Sequence, residues 1–256
     1  MARKPELLLS LVLLLAVLAG WELLVRLRGL PPLVLPGPSI VWGEVVERVV
    51  GGELWPHLWV TLAEVLLGFA AGSALGLVLG AAVAGSHRFG RVIRPYVVAS
   101  QAMPKLALAP IMVVWFGFGL TPKVIIAALI SFFPLFENVV AGLRAVDPDQ
   151  LELFRALRAG RWQVFLKLRL PSAVPFIAAG LRVALILSLV GAVVAEFAGA
   201  NKGLGALIVG AQGTMDTPLM FAVFVVLAVL GVALSLIVDL MERLAVRWRY
   251  GEQDGE

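Results

Sequence analysis

Residues 147–182 read DPDQLELFRALRAGRWQVFLKLRLPSAVPFIAAGLR, and the way they fold decides what the rest of the chain is. Leu151, Phe154, Leu157, Trp162, Phe165 and Leu168 recur at three- to five-residue steps, the period of an amphipathic helix. Arg155, Arg158, Arg161, Lys167 and Arg169 fill the spaces between them. Asp147, Pro148 and Asp149 supply a helix start: an acidic cap, then a proline whose missing N–H costs nothing in a first turn. Pro171 and Pro175 are expected to stop the pattern, because proline cannot donate and disfavours helix in the residue before it. The stretch predicts a short helical hairpin with a basic face, held between two membrane-length segments. A basic loop that only sets orientation explains the charge. It does not explain the apolar period.

Outward from this stretch the chain is hydrophobic. Of 256 residues, 61% are apolar and 15% charged, with a mean hydropathy of +0.97. That composition belongs to polytopic membrane proteins and excludes an ordinary soluble domain. There is no cysteine, hence no disulfide framework and no thiolate chemistry. Two histidines, His57 and His87, cannot build a metal site alone. The net charge of +4 suits loops facing anionic lipid better than nucleic acid. No G-x-x-x-x-G-K-[ST] phosphate loop occurs, so ATP-driven transport would need an ATPase in another chain.

Six spans are expected, near residues 7–25, 57–84, 95–118, 123–143, 173–198 and 216–244. The first follows Arg3 and Lys4 and has the length of a spanning helix; a cleavable signal peptide is the alternative. Residues 26–55 form an external linker whose surface helix is expected to be capped by Ser39. In span two, Gly68, Gly72, Gly76 and Gly80 fall at four-residue spacing and present one face for close helix packing. Residues 86–94 make a basic turn. Span three is interrupted by Pro104 and Pro110, with Lys105 between them, ~20 Å from the cytoplasmic end by helix rise. Trp115 and Phe116 close that span at an interface. Glu137 and Asn138 in span four are expected to cap or dock the loop. Residues 201–205 read as a flexible turn, Asp216-Thr217-Pro218 as a helix start, and residues 250–256 as a disordered tail. Fourteen Lys and Arg residues fall in would-be inside segments, against five outside: Arg26, Arg28, Arg48, Lys123 and Lys202. Both termini are therefore expected in the cytoplasm.

Counting back from Pro171, the chain offers Glu152-Leu153-Phe154, then Arg158, then Leu168-Arg169-Leu170-Pro171. This resembles the E-A-A…G…I-x-L-P coupling loop of bacterial ABC importer permeases. Glu152, Leu170 and Pro171 match, and Leu168 stands for the isoleucine. Both alanines are replaced. Arg158 stands at the glycine position with Gly160 two residues on, so the turn is expected to be shifted. Leu35-Pro36-Gly37-Pro38 is similar to the family's LPSP segment, and Trp115-Phe116-Gly117-Phe118-Gly119 to its WFGxG. The likeness covers residues 34–249, leaving 1–33 as a first helix and flank; the coupling loop falls at about 147–171.

The resemblance implies an all-α, six-span transmembrane domain of a type I ABC importer in the bacterial inner membrane. It implies a second copy of the chain, two ATPase subunits that bind ATP and magnesium, and an extracytoplasmic binding protein. It implies no cofactor and no catalysis in this chain. The branch is that of nitrate, sulfonate and taurine uptake and of thiamine-precursor or riboflavin uptake. AVVAEFAGANKGLG (192–205) and MDTPLMFA (215–222) look closest to the last two. Coupling to the ATPase is expected of Glu152, Leu153, Phe154, Leu157, Arg158, Gly160, Leu170 and Pro171, with Glu152 orienting the loop by capping or by pairing with an arginine.

Lys105, Arg182 and Glu196 are read as the ionisable residues deep in the spans, where each needs a partner, water or substrate. Glu196 lies ~21 Å along its helix from Arg182. Lys105 and Glu196 either pair with each other or serve the substrate pathway. In the second case Lys105 would hold a small anion, or Glu196 would accept N–H donors of a ring compound stacked on Trp115 and Phe116; the ring compound is preferred. A lipid enzyme would need clustered acid, base or metal groups. A scaffold would need neither the patterned loop nor a deep charge.

Overall fold

In hydrocarbon every backbone N–H and C=O must be satisfied within its own segment, so apolar runs of this length become helices. The computed structural model describes residues 4–245, and no strand occurs among them. Arg3, Arg247, Arg249, the Arg243 side chain and the 250–256 tail lie outside the described residues. The chain runs through α1 (Lys4–Arg28), α2 (Pro38–Val50), α3 (Leu54–Gly85) and α4 (His87–Ala102). A 3₁₀ turn (Lys105–Leu108) leads to α5 (Ala109–Phe116) and α6 (Leu120–Arg144). Then come α7 (Pro148–Ala156), α8 (Arg161–Val164), a π turn (Phe165–Arg169), α9 (Leu170–Phe197), α10 (Leu204–Gly213) and α11 (Thr217–Ala245). Among the described residues, five helices are long and apolar enough to cross a membrane. α4 and the segment Lys105–Phe116 are long and apolar enough only when taken together, and they meet at a bend of 78°, as in a broken span or a re-entrant loop.

The core is α3, α6 and α9. The four glycines of α3 lie buried against α6. A Cβ on Gly68 would stand 2.4 Å from Ala127 Cβ, one on Gly72 2.3 Å from Ser131 Oγ, and one on Gly80 2.8 Å from Val139 Cβ. Gly76 meets Leu135 in the same way, at 3.4 Å. Both helices step by four, so the two backbones run in one register at close range. On α9, Gly191 approaches Ala127 and Gly180 approaches Leu135 and Asn138. Ser188 donates to the Val65 carbonyl at 2.8 Å and adds a polar tie between α9 and α3.

Several local expectations are corrected. Ser39 is not the cap of α2; Gly37 holds that place, and Pro38 fills the first turn. Ser39 instead gives its N–H (3.1 Å) and hydroxyl (2.9 Å) to Glu22 of α1. The basic residues after span two are not a turn but the first turns of α4, capped by Ser86. Pro171 and Pro175 do not stop the helix, which is continuous from Arg161 to Phe197. Pro171 cannot donate to the carbonyl four residues back, and the chain widens into a single π turn just before it, closed by Leu170 N–H on the Phe165 carbonyl. The turn at 201–205 leads into α10, a short apolar helix the sequence reading did not separate. Asp216 caps α11 as expected, accepting the Leu219 N–H at 3.1 Å. Glu137 accepts from Gln101 on α4 (3.2 Å), and Asn138 donates to the Pro134 carbonyl (2.8 Å); neither reaches the loop.

Gly72→Ala should lower stability by about 1–3 kcal/mol, because the new methyl has nowhere to go. Gly85→Ala meets nothing within 4 Å and should change stability by less than about 0.5 kcal/mol. Thermal unfolding of the two variants in detergent checks this; equal melting would show that packing does not require the glycines.

Candidate functional site

Two regions concentrate chemistry. The first is the helical hairpin. Asp147 accepts the Asp149 N–H at 2.9 Å and starts α7. The turn after α7 is a Schellman closure: Ala159 N–H bonds the Phe154 carbonyl (3.0 Å) and Arg158 N–H the Arg155 carbonyl (2.9 Å). Arg158 takes the left-handed conformation, φ +53°. The turn is therefore not shifted to Gly160. Arg158 occupies the glycine conformation itself, while Gly160, at φ −67°, caps α8 and gives its N–H to Gln163 at 2.9 Å. Leu168, buried, and Phe165 anchor this end of the hairpin to the bundle. Leu170 and Pro171, both half-buried, open α9. Leu153 and Leu157 face outward, 57% and 70% exposed, with Phe154 half-buried between them. Glu152 is exposed and enters none of the ion pairs among the described residues, so its expected pairing with an arginine is not made. Between hairpin and bundle lies a groove of about 760 Å³, reached by Arg155, Arg161, Trp162 and Arg169.

The second region is a buried cluster at the other end of the core. Lys123 of α6 donates to Glu64 of α3 at 2.7 Å; the two side chains are 8% and 0% exposed. Glu196, 1% exposed, accepts the Thr61 hydroxyl at 2.7 Å and the Gly205 N–H at 2.5 Å. Thr61 Oγ1 in turn accepts the Leu204 N–H at 2.8 Å. His57 Nδ1 lies 2.9 Å from the Gly203 carbonyl. Gly203 has φ +131°, and a Cβ there would stand 2.1 Å from Glu196. Only a glycine lets the chain lie on the carboxylate this way. The loop expected to be flexible is thus clamped onto α3 and α9.

This geometry changes the assigned pathway. Glu196 does not pair with Lys105 and does not face an open path; both its oxygens are occupied inside the bundle. Lys105 sits over the Phe133 ring at 3.7 Å, and Phe133 is ~15 Å along α6 from Lys123. Lys105 also lies at the bend rather than along a straight span. Trp115 and Phe116 on α5 are 68% and 50% exposed. Arg182 pairs with Asp239 of α11 at 2.5 Å. Glu64 was overlooked, although a carboxylate in the apolar run TLAEVLLG meets the same rule that singled out Lys105. Lys123 was counted as an outside cation; only tertiary packing buries it.

The chain is thus a bundle of membrane-length helices with a two-helix hairpin at one end and polar ties inside it. Residues 72–249 match the family model described as binding-protein-dependent transport system inner membrane component. The chain belongs to that family. It is 39% identical over 93% of its length to the riboflavin transport system permease protein RibX of Chloroflexus aurantiacus, covering 88% of that protein. It is 34% identical to the formylaminopyrimidine transport permease protein ThiX of Halalkalibacterium halodurans, covering 97% of this chain and 99% of that one. It is also 34% identical to the putative aliphatic sulfonates transport permease protein SsuC of Bacillus subtilis, over 94% and 87%. Among solved structures, the inward-facing MetNI methionine ABC transporter superposes with a TM-score of 0.65 at 22% identity, covering 75% of this chain and 95% of that one. The chain is the permease component of an ABC importer for small solutes, and the family implies ATPase and binding-protein partners.

Arg158→Gly should relieve about 1 kcal/mol of left-handed strain in the hairpin, and Arg158→Val should add to it. Amide exchange of residues 154–160 is expected to slow in the first variant and quicken in the second. No change in either would mean that the turn is held by something else.

Proposed function

We propose that the chain imports a ring compound of the riboflavin or thiamine-precursor kind. The observation that carries this is likeness along almost the whole chain to permeases whose names give those solutes. In this reading two copies pair around the pathway in the inner membrane, with both termini and the α7–α8 hairpin in the cytoplasm. Two ATPase subunits bind ATP and magnesium, and an extracytoplasmic protein delivers the solute. Leu153, Phe154 and Leu157 supply the apolar contact with the ATPase, while Glu152 and Arg158 sit at its charged rim. Gly160, Leu170 and Pro171 join the hairpin to α9, so closure of the ATPases moves α9 as one rod.

The pathway residues are Lys105, Trp115 and Phe116, without Glu196. A ring that offers carbonyl acceptors suits Lys105, whose ammonium has an aromatic face beside it and no carboxylate among the described ion pairs. A small anion such as a sulfonate, taurine or nitrate is the second reading. It is favoured by the same lysine and by the sulfonate relative.

Phe154→Ala should cut solute-stimulated ATP hydrolysis by about tenfold, as for an interface anchor, and leave pairing of the two permease chains intact. Normal stimulation in that variant would remove the hairpin from the coupling path. Lys105→Met should reduce uptake by about tenfold or more, the loss of one hydrogen bond from a charged donor. Parallel uptake of labelled riboflavin, formylaminopyrimidine and taurine decides between the readings: uptake of taurine alone would replace the ring compound by the anion.

A further inference from the structure

The helix α4 starts where two membrane-length helices end. α3 finishes at Gly85 and α6 at Arg144, so this corner stands at the level where the spans leave the hydrocarbon. Gly90 lets α4 close on both of them. A Cβ there would stand 3.2 Å from the Val83 carbonyl oxygen and 3.2 Å from Arg144 Nη2. Arg144 is fixed in turn by the hydrogen bond it donates to that carbonyl at 3.0 Å. His87, Arg91, Arg94 and Val98 follow at steps of four, three and four residues and form one stripe of α4. Between this stripe and α6 lies a cavity of about 380 Å³, with Arg91, Arg94 and Arg144 on its wall. Glu137, the carboxylate on that wall, accepts from the Gln101 amide at 3.2 Å. Three guanidinium groups against one carboxylate leave the cavity basic. Arg88, Arg91 and Arg94 are exposed and enter no ion pair among the described residues.

A second recess, about 550 Å³, shares Arg91 and Arg94 and continues over Pro95, Val98 and Ala99. Along α4 the order is therefore charge first and apolar surface next, spread over ~12 Å from Arg91 to Ala99 by helix rise. An anionic phospholipid has the same order, a phosphate followed by acyl chains. Guanidinium groups give paired hydrogen bonds to phosphate oxygens, and basic pockets between spanning helices hold anionic headgroups. We infer that this corner is a binding site for an anionic phospholipid. Its phosphate lies against Arg91, Arg94 and Arg144, and one acyl chain follows Pro95, Val98 and Ala99. A second copy of the chain fits less well, because a two-fold interface here would set the arginines of α4 against their own equivalents.

The test is native mass spectrometry of the full chain in detergent, titrated with phosphatidylglycerol and, separately, with phosphatidylcholine. The wild type should hold phosphatidylglycerol in preference; equal retention of the two lipids overturns the inference. Arg91→Gln/Arg94→Gln should weaken phosphatidylglycerol binding about tenfold or more, the effect of two basic groups at a membrane surface. Both arginines are exposed, so this variant should melt within about 2 °C of wild type. Arg155→Gln/Arg161→Gln removes the same charge from the hairpin and should change the binding by less than about twofold, since charges beyond a Debye length are screened. An equal loss in the hairpin variant would leave net charge as the whole cause and overturn the site. Inorganic phosphate should not displace the lipid; displacement at equal concentration would make this a site for free phosphate instead. If Arg91→Gln/Arg94→Gln separates two paired chains while lipid retention stays unchanged, the face belongs to a second copy and the inference fails.

Discussion

The structure depends on the close approach of α3 and α6. Lipid offers helices no hydrophobic reason to associate, so their contact must come from packing and polar ties. Gly68, Gly72, Gly76 and Gly80 meet Ala127, Ser131, Leu135 and Val139, each pair four residues on from the last along both helices. Extended by one further step, the same register sets Glu64 against Lys123, the 2.7 Å ion pair. The glycine ladder and the buried charges are therefore one feature. A shift of either helix by a turn would lose the packing and leave a carboxylate and an ammonium unpaired in the interior, each at a cost of several kcal/mol.

From this pair the rest is placed in sequence. α9 packs on α6 through Gly180 and Gly191 and is tied to α3 by Ser188 on the Val65 carbonyl and by Glu196 on the Thr61 hydroxyl. The same helix continues without a break from Arg161, at the hairpin, to Phe197, at the cluster. Its one irregularity is the π turn ahead of Pro171. The hairpin and the clamped loop thus lie at the two ends of one continuous helix. The bent α4–α5 pair is attached differently. Only Gly90 and Val97 of α4 are buried within this chain.

What was legible in the sequence follows the range of the forces involved. Caps and apolar periods are local, and Asp147, Asp216 and the long spans stand where their residues predict. The two-helix hairpin after Asp147 is legible for the same reason. Backbone conformations that a neighbour compensates were not: Arg158 looked unfit for a glycine position, yet it adopts the left-handed angle and closes the turn. Prolines were read as helix stops because the local rule ignores a π turn that absorbs the missing donor. Burial of Lys123 depends on a loop nearly eighty residues further on, and no local pattern reports it. Glu64 is the exception, since its sequence signal was present and its consequence was tertiary.

A charge deep in a span marks a site, but the mark does not say which kind. Lys105 and Glu196 meet the same criterion and come to different ends. Glu196 has its oxygens filled by Thr61 and by the backbone of the loop it clamps, and it is almost fully buried. A ligand could reach it only by displacing that loop. Lys105 has the face of Phe133 and lies at the break between α4 and the 3₁₀ turn. Irregular backbone at membrane depth is tolerated where it is enclosed by protein or lines a wet cavity. α4 and α5 bury few of their residues within this chain. The bend therefore sets a charge against an aromatic face, away from the buried cluster. Held by its own loop, Glu196 serves to keep the other end of the core in one piece.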